Sequence, residues 1–210
     1  SSRKRAPSVP PPPPTSGLSP EHRAFWDEVV ARTAAIDDQN YFDMLGVPTS
    51  ASTETIRKAY FGLVKKWHPD RVPAELRDIK KFVDRIFGYF TRAHDTLTDE
   101  NKRGNYLRSV QEGGGTPKAD RELAAIVEAA MDLQKAEVLI RRRDFKGAYE
   151  LVKTALDTNP QDADAHAAYA WVLFNLEGAS GRLVEMLAAA DHAISLHEKH
   201  DRAHYYRGVI

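Results

Sequence analysis

The chain has 210 residues, 42% hydrophobic and 29% charged, with 30 Lys and Arg balancing 30 Asp and Glu. A formal net charge of zero argues against general nucleic-acid binding, and the absence of cysteine excludes disulfides and cysteine-ligated zinc within the chain. No apolar run approaches the ~20 residues of a membrane helix and the start lacks a signal-peptide core, so a cytoplasmic protein without membrane association is expected.

The charge is balanced overall but not locally. Residues 41–110 hold 13 Lys and Arg against 9 Asp and Glu, whereas residues 111–210 hold 12 against 16. Opposite signs fit two modules with different partners, or with each other.

Residues 1–18, with Val9-Pro-Pro-Pro-Pro-Pro14, read as an extended polyproline linker. An SH3-type ligand and a localisation signal at Arg3-Lys-Arg5 are the functional alternatives for this segment. The chain opens on it without an initiator Met, so a longer parent with another domain upstream is expected. Ser19-Pro20 supplies an N-cap and first-turn proline for a helix to about Ile36, with Phe25, Trp26, Val29 and Val30 on its apolar side. Residues 19–38 are therefore a flanking amphipathic helix that must pack on something, with the helical module that follows it as the expected surface.

Asn40-Tyr-Phe-Asp-Met-Leu-Gly-Val47 predicts a short helix closed by Gly46, and Ser52 is placed to cap the next one. In that next helix Ile56, Ala59, Tyr60, Leu63 and Trp67 recur at helical spacing, which leaves Arg57, Lys58, Lys65 and Lys66 on the outer face. Pro69 stops it. A proline disfavours the helical region for the residue before it, so His68 is expected as the last helical residue, its imidazole at a loop mouth beside Asp70. Downstream, Ile79, Phe82, Val83, Ile86, Phe90, Ala93 and Leu97 form one apolar stripe, followed by Thr98-Asp-Glu-Asn-Lys-Arg103.

Together these motifs closely resemble the J domain of DnaJ-family co-chaperones: a Tyr-x-x-Leu-Gly-Val opening, a basic second helix, a His-Pro-Asp loop, an antiparallel third helix and a Leu-Thr-Asp-x-x-Lys-Arg start to a fourth. The resemblance covers roughly residues 40 to 110, within a J domain drawn at 39–112. It implies docking on a DnaK-class chaperone, the seventy-kilodalton heat-shock ATPase, and stimulation of its ATP hydrolysis, as part of protein folding. His68, Pro69 and Asp70 occupy the triggering positions. Arg57, Lys58, Lys65 and Lys66 occupy positions that complement an acidic partner surface; clustered exposed cations speed encounter and set orientation more than they add affinity. A solvated face is the bland reading of any such charge run, and the adjoining loop argues against it here.

Phe61-Gly62 departs from the family, which usually continues the basic face there. A glycine inside a helix costs about 0.5–1 kcal/mol relative to alanine, and an outward aromatic gains nothing from water. Cover for Phe61 by Phe25, Trp26 and Val29 of the flanking helix, restraining chaperone coupling, is one expectation; a fixed brace elsewhere is the alternative. His94 stands where the family commonly has Tyr.

After Gly113-Gly-Gly-Thr-Pro117 the pattern is helical and Ala-rich. Ala136 and Ala170 lie 34 apart, with Ala148, Ala155 and Pro160 at the small and turn positions of a tetratricopeptide repeat. Ala155 to Ala193 and Ala170 to Gly208 are 38 apart, which places about four extra residues near Glu177-Gly-Ala-Ser-Gly181. Residues 117–210 thus look like tetratricopeptide-like repeats, the third cut short at Ile210, with continuation expected in a longer protein. Their ligand would be an unknown protein or peptide. A clamp for a chaperone's terminal carboxylate is not supported by Leu133, Glu137, Ala167 and Trp171 at the matching groove positions.

Neither a Walker loop nor a Gly-x-Ser-x-Gly elbow occurs, and His192, His197, His200 and His204 lack ligand spacing. No catalytic centre, metal or cofactor is expected. The resemblance is to the third DnaJ class, without a zinc domain, in an all-α chain: a J-domain helical hairpin followed by a helical solenoid. A scaffold or signalling protein with a restricted or degenerate J domain is the alternative, favoured by Phe61-Gly62.

Overall fold

Helices account for all the regular structure among the residues described by the computed structural model, which are Pro10 and residues 17–178 and 181–210. The all-α expectation is met. Nearly all of the expected linker, including Arg3-Lys-Arg5, and Ala179-Ser180 of the expected insertion lie outside the described residues. The chain divides into two compact units, residues 1–121 and 122–210.

In the first unit, α1 (Pro20–Ala35) begins where the Ser19 hydroxyl accepts the His22 amide at 3.2 Å. α2 (Tyr41–Leu45) opens on a capping box between Asn40 and Asp43 and closes on Gly46, whose φ of 68° is the left-handed value that favours glycine. α3 (Thr53–Trp67) is capped by Ser52, and α4 (Lys80–Thr98) returns against it after two short 3-10 turns, Pro69–Arg71 and Ala74–Ile79. α5 (Glu100–Gln111) follows with Asp99 as its cap.

The whole apolar stripe of α4 is buried: Phe82, Val83, Ile86, Phe90, Ala93 and Leu97 are at most 1% exposed. Against it α3 sets Ile56 and Trp67, with Ala59, Tyr60 and Leu63 partly buried at the margin. His94 stacks on Tyr60 at 4.3 Å between ring centroids.

α1 belongs to this same core. Trp26, Val29 and Ile36 are 0–1% exposed within it, and the Arg32 guanidinium reaches over the Phe90 ring to donate to the Met44 carbonyl at 2.5 Å. Burying three large apolar side chains is worth several kcal/mol at roughly 1.5–3 kcal/mol each. The helix is therefore a fixed part of the domain. Its cover of Phe61 is not found: Phe61 stays 59% exposed, with Tyr60 as its ring neighbour among the described residues, because α1 lies against the loop end of α3.

Two polar hubs close the unit. Asp37 accepts both Arg85 hydrogen bonds, at 2.5 and 2.7 Å, and a third from Arg121. Burial raises its carboxyl pKa, but the hydrogen bonds and charges of Arg121 and Arg85 outweigh this and leave it below the ordinary value. Arg103 of α5 donates to the Thr49 and Ala51 carbonyls, which ties α5 to the loop ahead of α3.

The second unit is built from α6 (Pro117–Arg141, of which residues 122 onward belong here), α7 (Phe145–Thr158), α8 (Ala163–Glu177), α9 (Leu183–Leu196) and α10 (Asp201–Val209). Alanine lets these helices approach closely: Ala136, Ala148, Ala165, Ala170, Ala190, Ala193 and Ala203 are completely buried and Ala155 nearly so. Side-chain caps start α7, α8 and α10: Asp144 on Gly147, Asp162 on Ala165, and the His200 imidazole on Ala203. Arg202 pairs with Glu137 and Asp164, so one α10 side chain ties α6 and α8. Gly208, expected at a close-packing position, is exposed with nothing within 4 Å of where a Cβ would stand, because no described helix covers that side of α10. Leu133 and Ala167 are buried in the helix stack.

Candidate docking site

The site begins with the end of α3. Trp67 is the last helical residue, and His68 already has extended backbone (φ −67°, ψ 126°), one residue earlier than the sequence suggests. The proline ring acts on the residue before it, and His68 takes the β conformation that this steric clash leaves open. Pro69, Asp70 and Arg71 then form a single 3-10 turn, held by Arg71 N–H to the His68 carbonyl at 2.9 Å and Val72 N–H to Pro69 at 3.2 Å.

The imidazole caps this turn. His68 Nδ1 accepts the Asp70 amide at 3.2 Å, so in this geometry the ring proton resides on Nε2. The ring edge rests on Phe87 at 5.3 Å, which fixes its plane against α4. From outside, Lys80 of α4 donates to the Pro69 carbonyl at 3.0 Å, and the Arg71 guanidinium donates to the Lys65 carbonyl at 2.6 Å. Pro69 and the adjoining Arg71 are thus held, while the Asp70 side chain is 84% exposed. Its carboxylate lies 3.7 Å from His68 Nδ1, beyond hydrogen-bond length, and is left free to meet something else.

All four cations expected on α3 are on its exposed side, but they are not equivalent. Lys58 pairs with Glu54 at 2.7 Å within the helix, and Lys66 donates to Glu28 of α1 at 2.6 Å. Arg57 and Lys65 have no carboxylate partner among the described residues. The surface therefore presents Arg57, Lys65 and Arg71 as unpaired positive charge, with Lys66 half-neutralised by α1. Sequence reasoning missed Glu28, Lys80, Arg71 and Phe87. Arg71 sat next to the tripeptide as a visible signal; the others reach the loop only through tertiary packing.

A pocket of about 260 Å³ adjoins the loop, where His22 and Phe25 of α1 face Lys65, Arg71 and Pro73. Among the described residues no group of three or more His, Asp or Glu is arranged to hold a metal, and no helix is long and apolar enough to cross a membrane.

Residues 40–106 match the family described as the DnaJ domain. Over 72 residues the chain is 42% identical to the chaperone protein DnaJ of Thermotoga neapolitana, a match covering 34% of this chain and 18% of the relative. It is 41% identical over 80 residues to human DnaJ homolog subfamily B member 8, covering 36% and 33%. For mouse DnaJ homolog subfamily B member 3 the figures are 44% over 78 residues, covering 36% and 31%. The matched region is thus 18 to 33% of the length of these relatives, and no solved structure matches the chain.

Proposed function

We propose that this chain, which carries a DnaJ domain over residues 40–106, is a zinc-free co-chaperone that docks on a DnaK-class chaperone and stimulates its ATP hydrolysis. The observation that carries the reading is the His68-Pro69-Asp70 turn, capped by its own imidazole and braced by Lys80 and Arg71, with the Asp70 carboxylate presented to solvent beside unpaired cations. A preformed turn loses little conformational freedom on docking, and exposed cations steer an acidic partner into register. In this reading His68, Pro69 and Asp70 trigger the partner's chemistry, while Arg57, Lys58, Lys65 and Lys66 orient it. The chain itself has no catalytic residue and needs no cofactor.

The second unit supplies the other half of the proposal, a tetratricopeptide-like stack that binds a protein partner or client. It is supported by the buried alanines at a 34-residue spacing and by the exposed Tyr205 beside the stacked Trp171 and Tyr206. A cytoplasmic setting without membrane or nucleic-acid partners completes it. The rival reading, a scaffold with restricted chaperone coupling, draws on Phe61, exposed on the docking helix, and on the partial neutralisation of Lys66.

Single-turnover ATP hydrolysis by a purified DnaK-class chaperone tests the proposal. Acceleration by the chain that His68→Gln and Asp70→Asn each abolish, with thermal stability retained, is the expected result. Stimulation undiminished in both variants, or none by the unmodified chain, removes it.

A further inference from the structure

The pocket between α1 and the loop end of α3 shares Arg71 with the brace of the tripeptide, but its α1 wall, His22 and Phe25, takes no part in that turn. We infer that it receives an apolar side chain from an acidic segment of the chaperone, with His22 and Phe25 of α1 as specificity-determining contacts; this rests on the docking function proposed above.

The walls match that occupant. Phe25, its ring 5.7 Å from Trp67, lines the apolar side with Pro73 and Leu76. Lys65, Lys66 and Arg71 line the charged side. Only Lys66 meets a carboxylate; Arg71 is held by a backbone carbonyl, which fixes its position without neutralising it. An apolar floor beneath two uncompensated cations is complementary to an apolar side chain flanked by carboxylates. A volume of about 260 Å³ lies below the roughly 300–1,000 Å³ of small-molecule sites. One or two side chains fill it.

The position is equally restrictive. Arg71 and Pro73 follow the tripeptide directly in sequence, and Lys65 and Lys66 precede it, so a partner seated on the His68-Pro69-Asp70 turn has its next segment at the pocket mouth. The α1 wall does not swing, since Trp26 and Val29 on the same helix are anchored in the core. The pocket exists before the partner arrives, and its contribution is to select which partner binds.

Affinity of the full chain for a purified DnaK-class chaperone, measured as Kd in ATP at low and high salt, tests this with two variants. His22→Trp fills the pocket while every residue of α3 and the loop keeps its identity; His22→Glu adds a carboxylate to the rim while favouring the N-terminal turn of α1, which keeps it folded. Each is expected to raise Kd about tenfold, equivalent to 1.4 kcal/mol. The Trp effect persists at high salt, being steric, and the Glu effect shrinks. Unchanged Kd in both variants, while His68→Gln still abolishes stimulation, overturns the pocket and leaves the docking function standing. Loss with Glu alone overturns the apolar occupant. A chain that neither binds nor stimulates overturns both readings together. Should His22→Trp fail to fold, the Kd of His22→Glu decides: no change refutes the inference.

Discussion

The Tyr106 phenol oxygen accepts the Tyr41 backbone amide at 2.7 Å and donates its own proton to the Gly115 carbonyl at 2.5 Å, while the two tyrosine rings stack at 4.4 Å. One side chain on α5 thus joins the start of α2 to the turn that follows α5. Tyr106→Phe leaves a partly buried amide and carbonyl unsatisfied, and a loss of about 1–3 kcal/mol is expected in urea unfolding. Burial raises the phenol's pKa above its ordinary 10.0. A raised folded pKa contributes stability fully present below pH 10 and lost as pH rises above it. The stability difference between wild type and Tyr106→Phe should therefore narrow in melts taken from pH 9 to pH 11.

Asp37 has the opposite sign. Its carboxyl is held below the ordinary 3.8 by Arg121 and Arg85, so its contribution is present above that value and disappears as pH falls through the lowered one. Asp37→Asn should flatten the acid limb of stability below about pH 4. An acid limb identical to wild type would mean that the Arg85 pair carries no net stabilisation.

Glycines at two positions predict opposite outcomes. Gly62, in the middle of α3 with nothing near its missing side chain, should accept Ala with a gain of about 0.5–1 kcal/mol. Gly115 has φ +77°, and a Cβ there would stand 2.5 Å from Val110 Cγ2, so Gly115→Ala should destabilise by more than 1 kcal/mol. Thermal melts of the two variants are sufficient to check the pair.

Charge reversals on α3 should separate encounter from folding. Lys65→Glu removes an unpaired cation and should weaken chaperone association, by an amount that shrinks as salt rises, at little cost to stability. Lys66→Glu should do the same and also lose up to about 1 kcal/mol of stability, because it sets a second carboxylate against Glu28. Equal stability in the two variants would show that the Glu28 contact is energetically idle.

Much of this was legible along the chain because large apolar residues at a 3.6 period leave few options. The α4 stripe from Phe82 to Leu97 is legible whole, and so are the helix starts at Ser19 and Ser52 and the helix end at Gly46, where side chains or backbone freedom allow them. The role of α1 was only half legible. Phe25, Trp26 and Val29 require a partner surface, and the neighbouring module is the expected one, but an apolar face does not say where on it the helix lands, and Phe61 points to the wrong end of α3. Contacts such as Glu28 with Lys66, 38 residues apart, and Lys80 with Pro69 have no local periodicity to announce them. Gly208 misled for another reason: small size marks close packing only where a second helix arrives.

The placement of Trp26, Val29 and Ile36 has a consequence for where this domain can be cut. The family match begins at residue 40, but the buried core reaches back to Trp26. Expression from residue 40 would strip Phe90 of its Arg32 contact and Trp67 of its Phe25 neighbour, leaving aromatic surface for solvent or for other molecules to cover. In this chain the family module and the packed core have different N-terminal boundaries, and a cut placed at the first would open the second.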